Sequence, residues 1–214
     1  MINSELFLQN VEPISRKFGI DRGTAIDRYY IDSFLIDESL KFSSDYKVEM
    51  TLEVGESTYS KQCFPNAMTH DVIRYDKGQD LTRPETLKTS VYDVFICTQT
   101  FNFIYDYRAA IEGSFQILKH GGLLLATVAG NISQVSRYDM ERWGHFWGFT
   151  HEGIRRAVSE VYGEENVQVF PFGNVLAATA FIQGLAQEDL PDLNQLNQID
   201  PEYAIAIGVK AFKR

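Results

Sequence analysis

Two short runs dominate what this chain can fold into: Val91–Thr98 (VYDVFICT) and Leu123–Val128 (LLLATV), each apolar at most positions. A strand with one wet face alternates apolar and polar residues. A run that is apolar on both sides belongs inside a sheet covered on both faces. Between the two runs, Arg108–Leu118 places Ala109, Ile111, Phe115 and Leu118 on one helical face, and His120-Gly121-Gly122 turns the chain into the second run. Strand, helix, strand in that order is the repeating unit of a parallel sheet.

The alternation continues on either side. Ile26, Tyr29, Tyr30, Phe34 and Leu35 recur at spacings of three and four, which predicts a helix between Gly23 and Ser39. Val48–Val54 is β-prone and stops at Gly55; Thr69–Tyr75 stops at Asp76-Lys77-Gly78. Thr150 reads as the N-cap of a helix over Glu152–Tyr162 that ends at Gly163. Asn166–Phe170 and Tyr203–Phe212 are the remaining strands, with a helical stretch, Val175–Gln187, between them. The expected fold is a doubly wound, mostly parallel α/β sheet with helices on both faces. With 214 residues, no internal repeat and no linker-like stretch, one domain is expected.

Composition narrows the partners. A net charge of −9 argues against a chain built to grip a phosphate backbone, so no nucleic-acid partner is expected. The longest apolar runs, Leu123–Ala129 and Val175–Ile182, fall far short of the roughly 20 residues that span a bilayer. The opening Met1-Ile2-Asn3-Ser4-Glu5 has neither the basic start nor the apolar core of a signal peptide. Cys63 and Cys97 make no disulfide framework, and no Cys/His cluster has metal spacing. A reducing, cytoplasmic setting without a metal is the expectation.

In such sheets ligands bind at the carboxyl ends of the strands. Three strand ends here carry suitable chemistry. Glu53 and Gly55 close the first, a carboxylate beneath a residue that lets the backbone turn tightly. Asp76 closes the second, twenty-three residues beyond Glu53, about the spacing at which a carboxylate meets a ribose diol. Thr98 and Gln99 close the third. Each also fits an ordinary turn. No G-x-G-x-x-G and no GK[ST] is present, which disfavours a nicotinamide enzyme or a P-loop NTPase.

Longer stretches carry more: FGIDRGTAIDRYYIDSFL (18–35), LEVGESTYS (52–60), YDVFICTQTFNFIYDYRAAI (92–111), LKHGGLLLATVAG (118–130), SRYDMERWGHFWGFT (136–150) and YGEENVQVFPFGNVLAATAFIQGLA (162–186). On these the chain resembles the class I S-adenosylmethionine-dependent methyltransferases, in a branch associated with glycosyltransferase and polysaccharide gene clusters. The resemblance runs from about Pro13 to the last strand. It implies a seven-stranded Rossmann-like sheet over 46–214, an N-terminal helical lid over 1–40, and S-adenosylmethionine as cofactor. By position it places Glu53 and Gly55 at the methionine end, Asp76 on the ribose, Asp80 at the adenine amino group, and Thr98 and Gln99 on the pocket floor. Arg22 and Tyr29 would close over the top, with Arg22 on the methionine carboxylate; a salt bridge is the other role open to Arg22. Two departures stand out: one glycine in the first loop, and a stretch from Asp76 to Asp80 shorter than the branch carries, where a strand usually runs.

The aromatic segment Trp143–Trp147 lies where the resemblance admits an acceptor. Indole faces stack on sugar rings, so Trp143 and Trp147 are the substrate-binding candidates and His145 the candidate base; core packing is the alternative for all three. His70, His120 and His151 read as structural. The implied activity is O-methylation of a sugar, glycan or small-molecule hydroxyl, with a glycosyltransferase as candidate partner. The alternatives are a non-catalytic partner of a glycosyltransferase and a non-methylating enzyme on the same fold.

Overall fold

The computed structural model describes residues 11–214, apart from the side chains of residues 43–45. Residues 1–10 of the expected N-terminal segment lie outside the described residues. The elements are α1 (Ile26–Asp45), β1 (Met50–Val54), α2 (Thr58–Cys63), β2 (Thr69–Ile73), β3 (Tyr92–Thr98), α3 (Tyr107–Ile117), β4 (Leu118–Ala129), α4 (Arg137–Met140), α5 (His151–Tyr162), β5 (Val167–Phe172), α6 (Val175–Gln183) and β6 (Ala206–Phe212), joined by loops and single 3-10 turns.

One sheet holds all six strands in the order β2-β1-β3-β4-β6-β5. Strands β1 to β4 are mutually parallel, and β6 is antiparallel to both neighbours. The two apolar runs lie side by side at its centre, Val94 opposite Leu123 and Ile96 opposite Leu125. Their side chains alternate between two covered faces. Val94, Ile96, Leu123 and Leu125 meet Ile31, Phe34 and Leu35 of α1 and Phe64 after α2. Phe95, Cys97, Leu124 and Ala126 meet Ile111 and Ile117 of α3 and Ile154 and Val158 of α5. α6 packs on the N-terminal part of α1 through Ala177, Ala180 and Phe181. Local caps set the helix starts: Asp106 accepts the Ala109 N–H, Thr150 that of Gly153 and Asn174 that of Ala177.

Among the described residues the sheet has six strands, not the seven that the resemblance implies. Between β2 and β3 the chain makes two 3-10 turns, Tyr75–Lys77 and Pro84–Thr86, and neither a strand nor an α-helix. The reason lies in the segment itself. Gly78 and Pro84 interrupt it, and its apolar residues Leu81, Leu87 and Val91 are isolated from one another, so no run can cover a sheet face. Leu81 is fully driven into the core, its carbonyl packed against Gly113 of α3, while Leu87 and Val91 pack half-buried at the edge of the same cluster.

Candidate active site

The chain leaves β1 for β2 on one side, then crosses back over β1 to β3 on the other. The direction of winding therefore reverses between β1 and β3, and in sheets of this kind the carboxyl ends of such a strand pair are where a ligand crevice is expected. Gly55 and Gln99 are the first residues beyond those two strands.

Gly55 adopts φ +82°, and a side chain there would meet no atom within 4 Å, so the turn after β1 is open. Glu53, beneath it, is buried and faces the protein rather than the crevice. Its two oxygens accept the N–H groups of Tyr59 (3.2 Å) and Ser60 (2.7 Å) at the start of α2. Burial pushes its carboxyl above the usual range, and these bonds partly oppose that. Glu53 thus holds the turn that presents Gly55.

α1 runs against the direction of the central strands. Near its end, Phe42 meets Phe212, which lies opposite Leu123. One turn earlier, Glu38 binds Lys210 at 2.6 Å, opposite Leu125; Phe34 packs at Gly208, opposite Thr127. The first turn of α1 consequently reaches the carboxyl rim of the sheet. There Arg28 donates to the Tyr59 hydroxyl (3.1 Å), which donates to Asp32 (2.7 Å). Beside Arg28, the Asp27 Oδ1 atom is buried with no hydrogen-bond partner. Burial raises the Asp27 carboxyl, and the Arg28 charge opposes the rise. Burial likewise carries the Tyr59 phenol up to about 12, aided by its bond to Asp32.

Gln99 holds φ +47°, a left-handed conformation that residues other than glycine rarely adopt. Its N–H donates to the Thr127 carbonyl at 2.8 Å, and its side-chain nitrogen is buried without a partner. Backbone strain and an unmet buried donor at one residue just beyond a strand's carboxyl end are features of a binding position. Thr98 sits half-buried just before it, paired with Thr127 across the strands.

On the β2 side the expected groups are already engaged. Asp76 is exposed and pairs with Arg74 (3.2 Å), whose hydrogen bond draws the carboxyl below its usual value. Asp80 accepts both the N–H (2.9 Å) and the hydroxyl (2.8 Å) of Thr82, and its other oxygen faces Arg83 at 3.3 Å. That is turn chemistry holding the segment's own backbone.

The N-terminal groups assigned to a cover separate. The Arg22 guanidinium forks onto Asp189 (2.8 and 2.6 Å) and holds that carboxyl down to about 2. Gly23 packs against Glu188, which binds the N–H and hydroxyl of Thr24. The stretch before α1 is therefore strapped to the loop after α6. Tyr29 donates to Asn197, away from the crevice. Arg28, one helical position earlier, occupies the rim instead. Its signal in the sequence was its place on the helix face shared with Ile31 and Asp32.

The aromatic segment is pinned to the loop after β3, where the Asn102 carbonyl accepts the N–H groups of Phe146 (2.9 Å) and Trp147 (3.2 Å). The Trp147 indole donates to the carbonyls of Ile104 and Tyr105 and packs against Tyr107, which gives it a structural part. Trp143 is 49 % exposed, its indole N–H on Asp139 at 3.0 Å. His145 Nδ1 accepts the Ser136 N–H at 3.0 Å, and its ring and that of Phe103 meet edge to face. A neutral ring held this way carries its proton on Nε2, so it offers a donor to a ligand. Burial lowers its pKa, against the pull of Asp139.

No protein-family model matches the chain, and no curated protein sequence does. Solved structures do match in fold. The carbon methyltransferase CurJ superposes with a TM-score of 0.57 at 14% identity, over 100% of this chain and 61% of that one. The N-methyltransferase NodS from Bradyrhizobium japonicum WM9, solved with S-adenosyl-L-homocysteine, gives 0.52 at 15% identity over 98% of this chain and 96% of that one. The [4+2]-cyclase SpnF gives 0.53 at 13% identity, covering 90% and 84%. The chain has the α/β Rossmann-like fold of S-adenosylmethionine-dependent methyltransferases, and among the described residues its sheet has one strand fewer than expected. Among the described residues no helix is long and apolar enough to cross a membrane.

Proposed function

We propose that this protein is an S-adenosylmethionine-dependent methyltransferase whose cofactor lies across the ends of β1 and β3. The observation that carries the reading is the pair of buried, unpartnered polar atoms at that rim, Asp27 Oδ1 and Gln99 Nε2, beside the open turn at Gly55. A buried group of this kind is costly unless something binds it. An amino-acid end fits both signs on offer. The Asp27 carboxylate suits an ammonium or sulfonium, and the Arg28 fork and Gln99 amide suit a carboxylate.

Bound there, the cofactor would supply a methyl group activated by its sulfonium. What the chain supplies is alignment: Gly55 lets the backbone approach, Glu53 holds the turn, and Thr98 and Gln99 form the floor. Asp76, bound only to an exposed arginine, is free to exchange that partner for ribose hydroxyls. Trp143 offers a stacking face for an acceptor, with the His145 Nε2 proton as a donor to it. A sugar or glycan hydroxyl is the acceptor we favour, on the resemblance of the aromatic segment and its neighbours. A cytoplasmic setting and a glycosyltransferase partner belong to the same reading.

A second reading is an enzyme on this fold that transfers no methyl group; the cyclase of the same fold and the reduced segment 74–91 support it. Calorimetric titration with S-adenosylmethionine and S-adenosylhomocysteine tests the cofactor. Micromolar binding supports both enzyme readings, and label transfer from methyl-labelled cofactor to a glycan acceptor selects the first. No binding at millimolar cofactor rejects both and leaves a non-catalytic partner of a glycosyltransferase.

A further inference from the structure

Resting on that cofactor reading, we infer that the site recognises its ligand by the amino-acid end and is indifferent to the purine base. The argument is the distribution of unmet and committed polar groups around the crevice. Two of the buried side-chain atoms that lack a partner, Asp27 Oδ1 and Gln99 Nε2, lie on the α1 and β3 side; among the described residues none lies on segment 74–91. Asp80, the side chain that the expected placement sets against the base, is already engaged with the segment itself, and so is the oxygen of its neighbour Gln79. Asp80 uses one oxygen on the Thr82 N–H and hydroxyl and the other on Arg83. Gln79 accepts the Arg74 N–H at 2.8 Å, and Asp76 faces Arg74 in the open. Leu81 is buried with its carbonyl against Gly113, so the segment cannot turn Asp80 outward without pulling a core residue from α3.

Strong discrimination between two similar ligands arises when the wrong one leaves a buried protein group unpaired. Adenine and hypoxanthine differ at one edge, where an amino donor becomes a carbonyl acceptor. With Asp80 satisfied internally, that exchange strands no carboxylate. Removing the amino-acid end does the opposite, since Asp27 Oδ1 and Gln99 Nε2 stay buried and unmet.

Three probes separate the terms in calorimetric titrations of the full chain: S-adenosylhomocysteine, S-inosylhomocysteine, which changes only the base, and methylthioadenosine, which keeps base and ribose but lacks the amino-acid end. The expected result is an inosyl affinity within fivefold of the adenosyl one and a loss of thirtyfold or more for methylthioadenosine. Asp80→Asn should leave S-adenosylhomocysteine affinity within threefold while lowering the melting temperature. A greater than fivefold loss on base exchange, or methylthioadenosine binding within thirtyfold, overturns the inference. If S-adenosylhomocysteine fails to bind protein that circular dichroism shows to be folded, the cofactor reading itself falls, and this inference with it.

Discussion

The Glu53 carboxylate accepts the backbone N–H of Ser60 at 2.7 Å, tying the last turn of β1 to the first turn of α2 across the residue that opens the crevice. An amide can serve only one of the two N–H groups that Glu53 serves. Glu53→Gln should therefore destabilise the fold by about 1–2 kcal/mol, read from urea unfolding. The pH dependence has a definite sign. Burial raises the folded pKa above the ordinary value of 4.5, so ionisation works against the native state and stability from this group declines as pH rises through that window. The Glu53→Gln variant should lose that decline.

Arg22 forks onto Asp189, the salt-bridge role open to it, while Arg28 meets Tyr59 at the start of α2. Arg22→Ala breaks an exposed pair with Asp189 and should change stability by less than about 1 kcal/mol, with cofactor affinity unmoved. Arg28→Ala should weaken S-adenosylhomocysteine binding about tenfold or more, the value of a lost charge-assisted hydrogen bond. Parallel titrations of both variants decide it, and an affinity loss confined to Arg22→Ala would reverse the assignment.

Gln99 combines a left-handed backbone with a buried unmet amide. Gln99→Gly relieves both and should stabilise the fold by about 1 kcal/mol while lowering cofactor affinity. A melting temperature that falls in this variant would show that the side chain serves packing.

His145 should titrate below the ordinary 6.5 when followed by NMR, because burial disfavours its charge. Its contribution to stability is then full above 6.5 and lost as the pH drops toward its lowered value. A ring that titrates above 6.5 would contradict the Ser136 contact.

The two tryptophans should behave differently. Trp147→Ala removes a packed indole with two carbonyl partners and should cost about 2–4 kcal/mol. Trp143→Ala should cost less than about 1 kcal/mol and lower turnover of a sugar acceptor without touching cofactor affinity. Equal losses of stability would place both in the core.

Asp76→Ala should fold normally and weaken S-adenosylhomocysteine about tenfold, since the side chain is exposed and supports no core contact. Unchanged affinity would remove Asp76 from the ribose.

The sequence alone determined the doubly wound sheet, because Val91–Thr98 and Leu123–Val128 are apolar on both faces and only a twice-covered sheet satisfies them. It likewise announced the caps at Thr150 and the turn at Gly55, whose chemistry is local. The residues themselves marked no strand between β2 and β3; the seventh was implied by the resemblance alone. A strand there depended on whether Leu81, Leu87 and Val91 could cover a sheet face, and singly they cannot. Nor did the sequence show which arginine meets Tyr59 at the sheet's carboxyl rim. Arg22 and Arg28 are six residues apart, and only the docking of α1 on the central strands, with the strap to Asp189, turns one outward and the other to the rim. Glu53 was legible as a carboxylate at a strand end, and Asp80 was placed by the resemblance. Their commitment to backbone N–H groups was decided by where the following turn places its donors, and a residue list contains no such distance.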